Sequence, residues 1–273
     1  MIIRELGLRP PVHISPFSTT DEAIDLMWQN DIRHLLVTDR DGFVGLVTDG
    51  DLLESVGMLT RAERECLFPG ASEEILVADI MDAEAICVTP ETLLTDAAHH
   101  MIYGMRTALP VVEDGELVGI VTEMDLLGLF NDPSCATAAM LRDEPVINHS
   151  SRVLRTVTRH ERLRKVCEKL NGSKHHHVLV VEDGRLVGVI SDWDVRMVIG
   201  RSQVGQWLDR PIDDIIVSGI TFRPDETLDR VAWLMREEKL TAVPITTPDD
   251  LLMSMVTVTD LLRVLVADAV IHA

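Results

Sequence analysis

Four times this chain writes the same eight-residue frame, and a chain built on a fourfold repeat folds into paired or stacked copies of one small unit. The frame is a small residue, two aliphatics, a hydroxyl, two free positions, Asp and an aliphatic. It reads Gly45-Leu46-Val47-Thr48-Asp49-Gly50-Asp51-Leu52, then Gly119-Ile120-Val121-Thr122-Glu123-Met124-Asp125-Leu126. It returns as Gly188-Val189-Ile190-Ser191-Asp192-Trp193-Asp194-Val195 and as Ser254-Met255-Val256-Thr257-Val258-Thr259-Asp260-Leu261. Aliphatics ending in Thr or Ser suit the end of a strand, and the apolar residues after the Asp suit a helix. A hydroxyl followed three residues later by an acid is also a capping-box pattern, which satisfies free N–H groups at the start of that helix. Capping accounts for the spacing but not for the acid being Asp every time, where Glu or Gln is the usual partner.

The repeat extends upstream. Ser15, Thr89 and Thr158 each stand 36 residues before their motif Asp, and Arg223 stands 37 before Asp260, the extra residue falling in the Pro248-Asp249-Asp250 turn. Each anchor is followed by an i, i+4 apolar pair: Ala23 and Met27, Ala97 and Met101, Val166 and Leu170, Val231 and Met235. Such a pair marks the inner face of a helix. Short apolar runs come next, and Asp41-Gly42, Asp114-Gly115 and Asp183-Gly184 read as hairpin turns. Each repeat is therefore predicted as strand, helix, strand, turn, strand, helix, an α/β (α+β) unit. The repeats are expected at 1–56, 77–130, 150–200 and 211–268, giving a first domain over 1–130 and a second over 150–273. Residues 131–149, with Asn131-Asp132-Pro133 and Glu144-Pro145, read as the linker.

A chain of 273 residues is long enough for two cores. Its net charge of −20 argues against a nucleic-acid or anionic-membrane surface, and any anionic ligand then needs a local basic pocket. The N-terminus carries no signal-peptide pattern, and no apolar run approaches the ~20 residues that span a bilayer. Cys66, Cys87, Cys135 and Cys167 are scattered, as free thiols in a reducing cytoplasm would be. We find no nucleophile triad, phosphate loop, dinucleotide fingerprint or metal-ligand set, so the chain reads as a non-enzyme without a catalytic cofactor. In Lys174-His175-His176-His177, consecutive strand residues point to alternate faces, which disfavours a metal site. His99-His100 reads as a helix-surface pair.

The strand–helix–strand–strand–helix unit ending in Gly-h-h-Thr/Ser-x-x-Asp resembles the cystathionine-β-synthase (CBS) domain, in four copies covering nearly the whole chain. Val77-Ala78-Asp79-Ile80-Met81 resembles the segment that leads into such a repeat, and Val88-Thr89-Pro90 its first strand. The resemblance implies repeats paired through their sheets into two modules, which close into a flat disk alone or with a second chain as a homodimer. It implies that adenosine-containing ligands, AMP, ADP, ATP or S-adenosylmethionine, bind between paired repeats, with the motif Asp accepting from the ribose hydroxyls. The ribose residues implied are Thr48 and Asp51, Thr122 and Asp125, Ser191 and Asp194, Thr257 and Asp260, with first-strand contacts from Ser15, Thr89 and Thr158. An ionised carboxylate suits that task because its two oxygens accept strong, charge-assisted hydrogen bonds.

Eighteen and nineteen residues after each anchor the copies read Arg33-His34, Thr107-Ala108, His176-His177 and Thr241-Ala242, basic in the odd repeats and neutral in the even ones. A basic pair at the similar position contacts phosphates in the regulatory subunit of AMP-activated protein kinase. The resemblance thus makes Arg33, His34, His176 and His177 phosphate candidates, the histidines only where they are protonated. The fourth repeat departs most from the pattern, with Ser254 for Gly and Arg223 for the first-strand hydroxyl; a site on Asp125 served by cations of the first repeat fits best. Two functions follow: a ligand sensor signalling to an effector protein, or a scaffold in which the Thr-x-x-Asp motifs only cap helices.

Overall fold

The computed structural model describes residues 1–8, 10–56, 75–133, 135–170, 177–191, 194–195, 209–216 and 219–271. In the first repeat β1 (His13–Ile14), α1 (Thr20–Asn30), β2 (His34–Asp39), β3 (Gly42–Thr48) and α2 (Asp49–Val56) follow the predicted order. The second has α3 (Leu94–Gly104), β4 (Ala108–Glu113), β5 (Glu116–Thr122) and α4 (Glu123–Leu127), and α5 (Ala136–Leu141) comes after it. The third has β6 (Thr156–Val157), α6 (Leu163–Leu170), β7 (His177–Glu182) and β8 (Arg185–Ser191); the fourth has α7 (Leu228–Glu237), β9 (Ala242–Thr246), β10 (Leu252–Thr257) and α8 (Val258–Ile271). Among the described residues, 1–56, 75–126 and 265–271 belong to one compact unit, and those between 127 and 264 to the other.

The first strand of each repeat is shorter than its sequence suggests. β1 and β6 pair parallel with β2 and β7 over two residues each, and in the other repeats only single bridges, Val88–Val111 and Phe222–Ile245, remain. The cause is local: the carbonyls of Ser15, Thr89, Thr158 and Arg223 each accept from the N–H three residues on, at 3.0–3.1 Å, so a turn starts where the strand would continue. The two longer strands of every repeat form an antiparallel hairpin with one register shift. Asp114-Gly115 and Asp183-Gly184 are two-residue turns with positive φ at both positions, which Asp tolerates and Gly favours. In the first repeat the turn is instead Arg40-Asp41, where Asp39 Oδ1 accepts from Asp41 N–H at 2.8 Å and Gly42 opens β3 at φ 115°.

Both faces of the hairpins are buried, which is why their strands read as apolar runs rather than alternations. Leu35, Val37 and Val47 join Ala23, Met27 and Leu52 on the helix side, while Leu36 and Leu46 are buried on the other face. In the third repeat Val178, Val180 and Ile190 pack with Leu163, Val166 and Leu170. Leu179 and Val189 on the opposite face meet Ala242, Leu252 and Met255 of the fourth repeat. The hairpins thus pair repeat to repeat through their second faces.

Each repeat is preceded by a short 3₁₀ turn, at Ile3–Leu6, Val77–Asp79, Val146–His149 and Ile212–Ile215, whose first residue is fully buried. These segments do not pack on the repeat they precede. Ile3 N–H donates to Thr92 O and Leu94 N–H to Met1 O, while Val77 N–H donates to Ser18 O, so the first and second repeats exchange lead-ins. The third and fourth do the same through Val146 N–H to Glu226 O at 2.8 Å and Leu163 N–H to Arg210 O at 3.1 Å. The stretch 144–149, expected as linker, is therefore a packed lead-in. The exchange also explains the small residue that opens the first and second motifs: a Cβ on Gly45 would lie 2.9 Å from Met81 Sδ and 3.1 Å from Asp82 O, and one on Gly119 would lie 3.1 Å from Leu8. Ser254 is tolerated because its buried hydroxyl lies 2.8 Å from Ser150 Oγ on the crossing segment.

Candidate functional site

The end of one strand and the start of a helix bring each motif together. Thr48 N–H and Oγ–H both donate to Asp51 Oδ2 at 2.7 Å, and Asp51 N–H returns a bond to Thr48 Oγ1 at 3.2 Å. Thr122 with Asp125 repeats this at 2.8, 2.7 and 3.4 Å, and Ser191 with Asp194 at 2.8, 2.6 and 3.1 Å. Thr257 with Asp260 gives 3.0, 2.7 and 3.2 Å. All four motifs are reciprocal capping boxes, with the shorter Asp doing what Glu usually does.

The box engages one carboxylate oxygen. Among the described residues, Oδ1 of Asp51, Asp125 and Asp194 accepts no hydrogen bond, and none of the three residues is buried. Asp260 differs: its Oδ1 accepts from Arg263 at 3.3 Å. The cap occupies one carboxylate oxygen, so capping and a second acceptor role are chemically compatible on one side chain.

The phosphate candidates lie beside these motifs. His34 and His177 stand directly across their ladders from Thr48 and Ser191. The Arg33 carbonyl accepts from Asp49 N–H, at the start of α2. His34 Nε2 also reaches the neighbouring repeat, 2.7 Å from Thr107 Oγ1, and His177 Nε2 lies 2.9 Å from Thr241 Oγ1. Burial holds the His34 pKa below the usual imidazole value, and the charge of Arg33 pushes it the same way; Asp49 and Asp125 pull it back up without overcoming burial. The shift favours the neutral imidazole at His34, and Arg33 adds a guanidinium to the same edge. His176 lies outside the described residues, as does most of the run 174–177.

Ser15, Thr89 and Thr158 sit exposed at the turns that end the first strands. Ser15 Oγ accepts from Phe17 N–H, and Thr89 Oγ1 pairs with Thr92 Oγ1 at 3.3 Å. In their place the fourth repeat has Arg223, whose guanidinium donates to Thr246 Oγ1 at 3.0 Å and to the Thr247 carbonyl and lies 3.6 Å from Asp250. It clasps the longer turn. His99 stacks its ring on Tyr103 at 5.4 Å along α3. Among the described residues no group of three or more His, Cys, Asp or Glu is placed to hold a metal, and no helix is long and apolar enough to cross a membrane.

The His–Thr bridges and Arg263 are not apparent from the motif. The signal for the bridges was present in the register: Thr107 and Thr241 occupy the positions matching Arg33 and His176, so a pseudo-twofold pairing brings each Thr opposite the other repeat's His.

Four capped strand-to-helix junctions on paired hairpins define a tandem-repeat module protein with polar junctions open to solvent. The chain belongs to the CBS domain family, whose sequence profile matches residues 3–58, 77–132, 142–201 and 211–267. It is similar over most of its length to the uncharacterized protein MJ1225 of Methanocaldococcus jannaschii, at 23% identity over 270 residues covering 92% of this chain and 94% of the relative. The crystal structure of MJ1225, described as a proposed archaeal homologue of γ-AMPK, superposes with a TM-score of 0.81 at 21% identity, covering 96% of this chain and 99% of that one. A chloroplastic CBS domain-containing protein of Arabidopsis thaliana is 36% identical over 129 residues, 40% of this chain and 54% of its own. The fold is that of CBS repeats arranged in pairs.

Proposed function

We propose that this protein is a regulatory sensor of adenosine-containing ligands, with AMP, ADP, ATP and S-adenosylmethionine as candidates, and that an effector protein reads the liganded state in trans. The observation that carries the reading is the Oδ1 of Asp51, Asp125 and Asp194, which accepts no hydrogen bond among the described residues while a cap holds the other oxygen. A preorganised acceptor of this kind suits the paired hydroxyls of a ribose, and Arg33 beside it suits a phosphate. Signalling requires the ligand to favour one arrangement of the repeats over another. No reaction chemistry is assigned to the chain.

Thermal melting against the four ligands tests this. A ligand present at about 100 times its Kd adds about 2.7 kcal/mol to the folded state, a rise of roughly 5 °C or more for a chain of this size. A rise with at least one of them supports the sensor. Flat melting curves with all four would favour the scaffold reading, which the completeness of the four capping boxes independently supports.

A further inference from the structure

A His–Thr bridge recurs in both units at matching positions and joins one repeat to the next. In the first unit His34 comes from the start of β2 and Thr107 from the residue before β4; in the second, His177 starts β7 and Thr241 precedes β9. Each Thr is itself tied to its own motif helix. The Thr107 carbonyl accepts from Glu123 N–H at 3.0 Å and the Thr241 carbonyl from Val258 N–H at 3.0 Å, the first residues of α4 and α8. Each His faces its own motif hydroxyl across the ladder. The chain of contacts therefore runs from Thr48 through His34 and Thr107 to the helix that carries Asp125.

We propose that Thr107 and Thr241 are positioning residues, which hold the imidazole of the neighbouring repeat in place and so fix the spacing of the two motif carboxylates within each unit. The chemistry of the hydroxyl suits this. It donates to a bare Nε2 and accepts from a protonated one, so the bridge survives either tautomer and also the arrival of a proton with an anionic ligand. Valine has the same shape and neither ability. The role rests on the adenosine-sensor reading for its consequence, since it acts on ligand through His34.

The test uses the full chain with Asp194→Ala and Asp260→Ala, so that only the first unit binds, and measures AMP affinity by calorimetry together with melting in the absence of ligand. Thr107→Val should weaken AMP about fivefold, the worth of one ordinary hydrogen bond. Thr107→Ser should restore affinity to within about twofold, and Thr107→Val added to His34→Leu should cost nothing further. AMP affinity unchanged in Thr107→Val, even with a lowered melting temperature, would make the contact merely structural and overturn the proposal. So would equal losses in the Ser and Val variants. If the parent chain binds none of the adenosine ligands, the sensor reading fails and takes the positioning role with it; the ligand-free melting cycle of His34→Leu and Thr107→Val then still shows whether the bridge couples the repeats.

Discussion

Among the described residues, the first unit offers two motif carboxylates with an open oxygen, Asp51 and Asp125; the second offers Asp194 in that state and Asp260 with its outer oxygen on Arg263. The capping box is the same in all four, within a few tenths of an ångström. What varies is everything that could face a ligand: the residue three after the Asp, the first-strand hydroxyl, and the residue beside the ladder. The cap is the constant of the fold, and the residues around its second oxygen are what differ from repeat to repeat.

The crossing segments give the largest contrast between the units. Gly45→Ala should destabilise the first unit by about 1–3 kcal/mol, because the new methyl meets the Asp82 carbonyl, a backbone atom that accepts from Leu46 N–H. In the second unit the crossing chain is met by the hydroxyl of Ser254, which opens the fourth motif, and Ser254→Ala should cost less, about 0.5–1 kcal/mol, since the Ser150 hydroxyl keeps the Ile147 carbonyl as its acceptor. Urea titration of both variants checks this. Equal losses would mean that the crossings are not the reason for the small residue.

The His34 side of the comparison is read by pH. Its folded pKa lies below the ordinary 6.5, so below that pH the unfolded chain takes up the proton first, and stability present above 6.5 is lost as pH falls toward the folded value. Melting between pH 7.5 and 5 should therefore decline less steeply in His34→Asn than in the parent protein. Cys167 behaves in the opposite range: burial pushes its thiol up to about 12, so stability declines above about pH 9, where the unfolded thiol ionises and the folded one does not. Cys167→Ala should flatten the decline between pH 9 and 11.

The smallest effect concerns Arg263. Its side chain is 62% exposed, and removing an ion pair of this kind should change stability by less than about 1 kcal/mol. The informative readout is binding stoichiometry. Arg263→Ala frees the second oxygen of Asp260, and the number of AMP bound per chain should rise if that carboxylate was blocked; an unchanged number would mean that the fourth motif is closed for another reason, Arg223 being the first to examine.

Repeat number, the hairpins and the helix faces were legible in the sequence because they depend on local periodicity and on residues a fixed distance apart. Met27, Met101 and Met235 are buried as the i, i+4 pairs require, and the four Asp residues fall where the spacing puts them. The exchange of lead-ins was not legible, since nothing within Val77–Asp79 or Val146–His149 states which repeat it will lie on; only the smallness of Gly45 and Gly119 hinted that another backbone passes close by. The charge of His34 was left open by the sequence for the same reason: its burial depends on the neighbouring repeat, which contributes Thr107. The turn in the first repeat was placed one residue late because an Asp-Gly pair dominates the local signal even when Arg40-Asp41 is the true corner.

We propose that one carboxylate both caps a helix and accepts a ligand, through different oxygens. Asp125→Asn separates the two, because the amide oxygen can still take both bonds from Thr122 while the amide nitrogen in place of the second oxygen accepts nothing. Calorimetric titration of AMP into this variant, in a chain already carrying Asp51→Ala, Asp194→Ala and Asp260→Ala, should show binding lost while the melting temperature stays within a few degrees of the same chain with Asp125 intact. Binding retained at parent affinity in Asp125→Asn would contradict the account and leave the motif as a helix cap alone.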